Sequence, residues 1–126
     1  IKLPSNHGNL TFWATHLDHR SDSKERIDSA KYLVQFARNS PTPLSILAGD
    51  LNATPTSNVL TIFSKHWFNP IADKPQPTIP VTKPTKQIDF VLAYPQDRWI
   101  TKSVTVLDEA IASDHRAILT VFELHP

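Results

Sequence analysis

The chain has no cysteine, no methionine and only 2 glycines, and its basic and acidic residues balance to a net charge of +1 over 126 residues. Without cysteine there is no disulfide framework, no thiolate zinc site and no cysteine nucleophile. That leaves the compartment open, with a lean toward an exported protein, periplasmic or extracellular. Because methionine is missing even at position 1, the chain is expected to be a processed or excised piece of a longer product. Gly8 and Gly49 are too few for the Gly-x-Ser-x-Gly elbow of a serine hydrolase. A net charge near zero, with Lys and Arg scattered, lacks the long-range field of a non-specific DNA binder and leaves small or isolated phosphoesters open. No apolar run is long enough to span a bilayer, so no membrane span is expected. Ile1-Lys2-Leu3-Pro4 also lacks the apolar core of a signal peptide.

What is present describes one globular domain. Hydrophobic residues make up 40% and charged residues 20%, enough for a single core. Leu10 to Leu17 alternates, with Leu10, Phe12, Ala14 and His16 on one side and Thr11, Trp13, Thr15 and Leu17 on the other, as in a strand. Asp22 and Glu25 have the spacing of a capping box, and Ile27, Ala30, Leu33, Val34 and Ala37 form a helical stripe that stops before Pro41. Pro43 to Ala48 is a short apolar run ending at Gly49, read as a strand buried on both faces. Strand, helix, strand implies a crossover that places the two strands parallel. A short helix is expected within Pro55 to His66.

Asn69 to Thr85 holds Pro70, Pro75, Pro77, Pro80 and Pro84, which argues for an irregular surface loop beside a site. Gln87 to Ala93 reads as an interior strand with one buried carboxylate, Asp89. Trp99 to Leu107 and Arg116 to Leu124 are expected to complete a mixed sheet of about five strands. Trp67 and Phe68 are expected in the core, and Arg26 is expected to hold the Asp18/Asp22 loop. His7 and His125 are expected to be solvated.

Chemistry concentrates in four segments. Leu47-Ala48-Gly49-Asp50-Leu51-Asn52 ends an apolar strand with a carboxylate and an amide at spacing i, i+2, which share a side if the backbone stays extended. A carboxylate there can orient a water while the amide donates to a phosphoryl oxygen. The same four residues are equally an Asx turn capping the strand. Asp89, if charged in a core, needs a partner such as histidine, arginine or a metal. His16 closes the first strand, where it contacts substrate or is satisfied by backbone. Ser113-Asp114-His115 is not a serine triad, because adjacent residues cannot form the relay that a triad requires.

Taken in chain order, Thr15-His16-Leu17, Gly49-Asp50-Leu51-Asn52, Gln87-Ile88-Asp89-Phe90 and Ser113-Asp114-His115 resemble the motifs of the endonuclease/exonuclease/phosphatase (DNase I-like) superfamily. The resemblance runs from about Leu10 to Leu124. It implies an α/β fold, a mixed β-sheet with a packed helix forming part of a four-layer α/β sandwich. It also implies that residues 1–126 are the C-terminal portion of such a domain, with the N-terminal portion absent. Members carry an asparagine and a glutamate upstream of the Thr-His motif that help bind the metal, and no residue here occupies that place.

By the same resemblance Asp50 activates water, Asn52 and His16 hold phosphoryl oxygens, Asp89 orients His115, and Asp114 joins the shell of a Mg²⁺ or Mn²⁺ ion. Zinc on His16, His19 and His115 is the lesser option. The implied activity is divalent-metal-dependent phosphodiester hydrolysis. Its substrate would be a nucleic acid, nucleotide, inositol phosphate or lipid head group. The competing reading is a non-catalytic binding module that keeps the cluster without a full metal shell. Half a sandwich would also leave an apolar sheet surface, to be covered by the missing N-terminal segment or a second copy.

Overall fold

The computed structural model describes residues 1, 3 and 8–125. His7 and parts of the Ile1-Lys2-Leu3-Pro4 start lie outside them. The described order is β1 (Leu10–His16), α1 (Lys24–Arg38), β2 (Leu44–Asp50), α2 (Asn58–Phe63), β3 (Asp89–Tyr94), β4 (Trp99–Val106) and β5 (Ile118–Leu124). The crossover through α1 does place β1 and β2 parallel, while β3 runs antiparallel to β2.

The stripe on α1 does what its spacing requires: Ala30, Val34 and Ala37 are buried, and the helix closes with Asn39 N–H on the Gln35 carbonyl. The capping box does not form. Ser23 is the N-cap without a side-chain bond, and Asp22 instead accepts the Lys24 N–H at 3.0 Å. Arg26 is buried and donates to the Asp18 and Arg20 carbonyls at 2.9 and 2.5 Å, which holds the loop between β1 and α1. Both helices cover one face of the three strands. Leu47, Phe90 and Leu92 pack there with Ala30, Val34, Phe63 and Trp67, the core of the molecule.

The five strands form two sheets rather than one. The orders are β1-β2-β3 and β4-β5, so the expected single mixed sheet is corrected. The break falls after Tyr94, where Pro95 has no N–H to continue a ladder and a single 3-10 turn, Gln96–Arg98, redirects the chain. The β4-β5 hairpin then packs on the face opposite the helices, Trp99, Phe122 and Leu124 meeting Leu10, Leu44 and Ala93. Consequently β3 is an edge strand, not an interior one. Among the described residues its outer side carries an isolated bridge, Phe68 to Ala93. Phe12 on β1 and Leu119 and Val121 on β5 stay about half exposed. No helix among the described residues is long and apolar enough to cross a membrane.

Candidate active site at the carboxyl ends of β1 and β2

The register places three of the candidate side chains in one lateral row. His16 pairs with Asp50 across β1-β2, and Asp50 pairs with Asp89 across β2-β3. Residues in register on neighbouring strands project to the same face, so sequence separation is irrelevant to their proximity. One step earlier the row is Thr15, Gly49 and Phe90. There a Cβ on Gly49 would lie 1.8 Å from the Thr15 carbonyl oxygen, at a φ of +148°. Only glycine lets β1 approach β2 this closely at the threshold of the site.

Each side chain in the row has a defined partner. Asp50 Oδ1 accepts the Asn52 N–H at 2.7 Å, and Oδ2 lies 3.5 Å from His16 Nε2. Asn52 turns into the left-handed region with φ 46°, and its Nδ2 donates to the Leu17 carbonyl at 2.9 Å. The Asx turn therefore forms. Asp50 and Asn52 converge through that turn and not through extended alternation. His16 is exposed, with 72% of its side-chain surface accessible, and faces solvent above Asp50.

Asp89 is the first residue of β3 and its side chain is 20% exposed, so the expected buried carboxylate is corrected to one at the lip of the sheet. Its partner is His115, brought in from the turn before β5: Nδ1 lies 2.9 Å from Asp89 Oδ2. A carboxylate only accepts, so Nδ1 carries the proton and Nε2 is left for another group. Burial works against the charged imidazole. The Asp89 hydrogen bond and charge, joined by Asp50 and Asp114, outweigh it and hold the His115 pKa above its ordinary value.

One ligand atom from each of Asp50, Asp89 and His115 lies within 4.8 Å of the others, a group able to surround a cation. It differs from the expected metal residue, because Asp114 is exposed and outside that group. Asp114 contributes its charge near His115 and a carbonyl that accepts the Val81 N–H at 2.9 Å. His16 and His19 are also outside the group, so the three-histidine zinc arrangement does not form. A cleft of about 250 Å³ beside the group is lined by Ala48, Gly49, Asp89, Val91, His115 and Ile118.

Two buried polar residues support Asp89. Thr78 Oγ1 donates to Asp89 Oδ2, and Gln87 Nε2 donates to the Asp89 carbonyl. Gln87 opens one of the four motifs, whereas nothing in the local pattern of Thr78 separates it from ordinary loop polar residues, since a proline-rich segment reads as surface whatever it encloses.

The sequence profile described as "Endonuclease/Exonuclease/phosphatase family" matches residues 2–115. No curated protein is a significant match. Among solved structures, an endonuclease/exonuclease/phosphatase family protein from Bacteroides thetaiotaomicron is 21% identical with a TM-score of 0.75, over 88% of this chain and 48% of that one. A mannosyl-6-phosphatase from the same organism is 23% identical with a TM-score of 0.70, over 89% and 50%. The human nocturnin catalytic domain, solved with a bound sulfate anion, is 19% identical with a TM-score of 0.66, over 89% and 46%. The chain thus spans about half the length of the structures it resembles. With the profile matching nearly its whole length, the chain belongs to the endonuclease/exonuclease/phosphatase family.

Proposed function

We propose that this chain carries the C-terminal part of the active site of a divalent-metal-dependent phosphodiesterase. The observation that carries the reading is the row His16, Asp50 and Asp89 with His115 closing over it. Asp50, held by the Asn52 N–H, is placed to take a proton from an attacking water. The exposed His16 and the free N–H of the Asn52 amide hold non-bridging oxygens. Asp89 fixes His115 with Nε2 toward the cleft, where a raised pKa favours the cation that offsets charge developing on the phosphoryl group. No nucleophilic side chain is required.

The donor chemistry fits a hard cation. Two carboxylates with room for water are what Mg²⁺ or Mn²⁺ takes, and oxygen ligands favour these over zinc. Asp50 and Asp89 are the oxygen donors already grouped, and Asp114 is the further one that the family resemblance assigns. When bound, such an ion neutralises phosphate and leaving-group charge.

Bis-p-nitrophenyl phosphate, with p-nitrophenyl phosphate as the monoester arm, is the test. Turnover is measured with Mg²⁺ or Mn²⁺ for this chain, for Asp50→Ala, and for a form extended by the upstream segment. The extended form is expected to be active on the diester and its Asp50→Ala variant inactive. No turnover by the extended form in any metal rejects the enzyme reading in favour of a binding module.

The cleft of about 250 Å³ is smaller than the roughly 300–1,000 Å³ of most ligand sites. This supports a wall supplied from outside the chain. We propose that the missing N-terminal segment, or a second copy in its absence, covers Phe12, Leu119 and Val121. The isolated chain is expected to bind a hydrophobic dye and to elute above monomer size on gel filtration, with both effects reduced in Phe12→Ser/Leu119→Thr. A clean monomer without dye binding rejects this.

A further inference from the structure

Asp89 Oδ2 receives two donors. One is His115 Nδ1 at 2.9 Å, and the other is the Thr78 hydroxyl at 2.5 Å. Thr78 has no exposed surface and sits in Pro77-Thr78-Ile79-Pro80, a segment tied on two sides. On one side the Thr78 and Ile79 N–H groups donate to the Lys86 carbonyl at 2.8 and 3.0 Å, and Lys86 N–H returns a bond to Ile79. On the other, the Thr78 carbonyl accepts the Arg116 N–H, Val81 N–H donates to the Asp114 carbonyl, and Arg116 Nε donates to the Val81 carbonyl. The stretch from Thr78 to Val81 is therefore anchored to both neighbours of His115.

A terminal carboxylate is free to rotate about χ2, because that torsion has only broad preferences. With His115 as its sole partner, Asp89 could present either oxygen and the imidazole would follow. A second donor on the same oxygen removes that freedom. Among the described residues no hydrogen bond reaches Oδ1, so the carboxylate plane is set by the two donors on Oδ2 alone.

We propose that Thr78 is a positioning residue: its hydroxyl sets the orientation of the Asp89 carboxylate and, through it, the ring orientation of His115. The consequence for turnover rests on the phosphodiesterase reading above; the orientation of His115 does not. Outer partners of this kind typically contribute about 10- to 100-fold to activity.

The test compares Thr78→Val, Thr78→Ala and Thr78→Ser. Crystal structures of the metal-free variants report the His115 ring orientation and its Nδ1 contact with Asp89. The extended form with bis-p-nitrophenyl phosphate gives kcat and KM, and thermal unfolding checks the fold. Thr78→Val and Thr78→Ala are expected to lower kcat about 10- to 100-fold at unchanged KM and to leave the His115 ring in more than one orientation. Thr78→Ser, which keeps the hydroxyl, is expected to restore the parental ring orientation and nearly all of kcat.

The parental ring orientation and kcat in Thr78→Ala overturn the proposal, and so does a Thr78→Ser variant as impaired as Thr78→Val. If Thr78→Val does not fold, Thr78→Ala leaves space and decides. If no form turns over substrate, the phosphodiesterase reading fails, and the ring-orientation comparison still decides the role of Thr78.

Discussion

Replacing Asp89 with asparagine is expected to lower kcat/KM for bis-p-nitrophenyl phosphate by on the order of 10²- to 10⁴-fold in the form extended by the upstream segment. The substitution keeps the shape and removes the charge. It also disturbs the bonding, because Oδ2 accepts from both His115 and Thr78. An amide that turns its NH₂ there faces two donors. An amide that keeps its oxygen there still lacks the charge that stabilises the His115 cation. A His115→Gln variant is expected to lose about as much, and the double variant little more, since groups acting as one unit are not additive. Turnover of Asp89→Asn within about threefold of the parent would exclude Asp89 from the chemistry.

The largest expected effect on stability comes from Gly49→Ala. The added methyl would meet the Thr15 carbonyl at 1.8 Å, a backbone atom in a paired strand that cannot move without breaking β1-β2 pairing. Overpacking and an unfavourable φ together predict a loss of about 2–5 kcal/mol, a large share of the ~5–15 kcal/mol available to a domain. Gly8→Ala is the control. Its φ is also positive, at 78°, but nothing lies within 4 Å of the built Cβ, so only about 1 kcal/mol is expected. Urea unfolding midpoints of the two variants decide the point: equal shifts would mean that the contact with Thr15, and the close approach of His16 to Asp50, does not limit the fold.

Local patterns carried much of the architecture. Alternation from Leu10, the stripe from Ile27 to Ala37 and the apolar run before Gly49 each announce an element, because burial of one face imposes its period on the residues. Local patterns stop short where a residue answers to distant partners. Extended spacing and an Asx turn are both open at Asn52, and its bond to the Leu17 carbonyl, 35 residues away in sequence, goes with the turn. The apolar neighbours of Asp89 point to an interior strand, which the structure does not form. They are apolar because the β4-β5 hairpin and the helices cover opposite faces, not because a strand lies on each side.

By itself the sequence determined the family, the order of the main elements and the six residues worth asking about: His16, Asp50, Asn52, Asp89, Asp114 and His115. Those follow from local spacing and from motifs whose order in the chain is enough to identify them. Tertiary structure alone decided that the strands split into two sheets, that Asp50, Asp89 and His115 form the tight group while Asp114 lies outside it, and that a buried threonine from the proline-rich loop holds the central carboxylate. The physical reason is that register, strand departure at Pro95 and contacts such as Thr78 with Asp89 are settled by packing between segments far apart in the chain, which leaves no period in either segment alone.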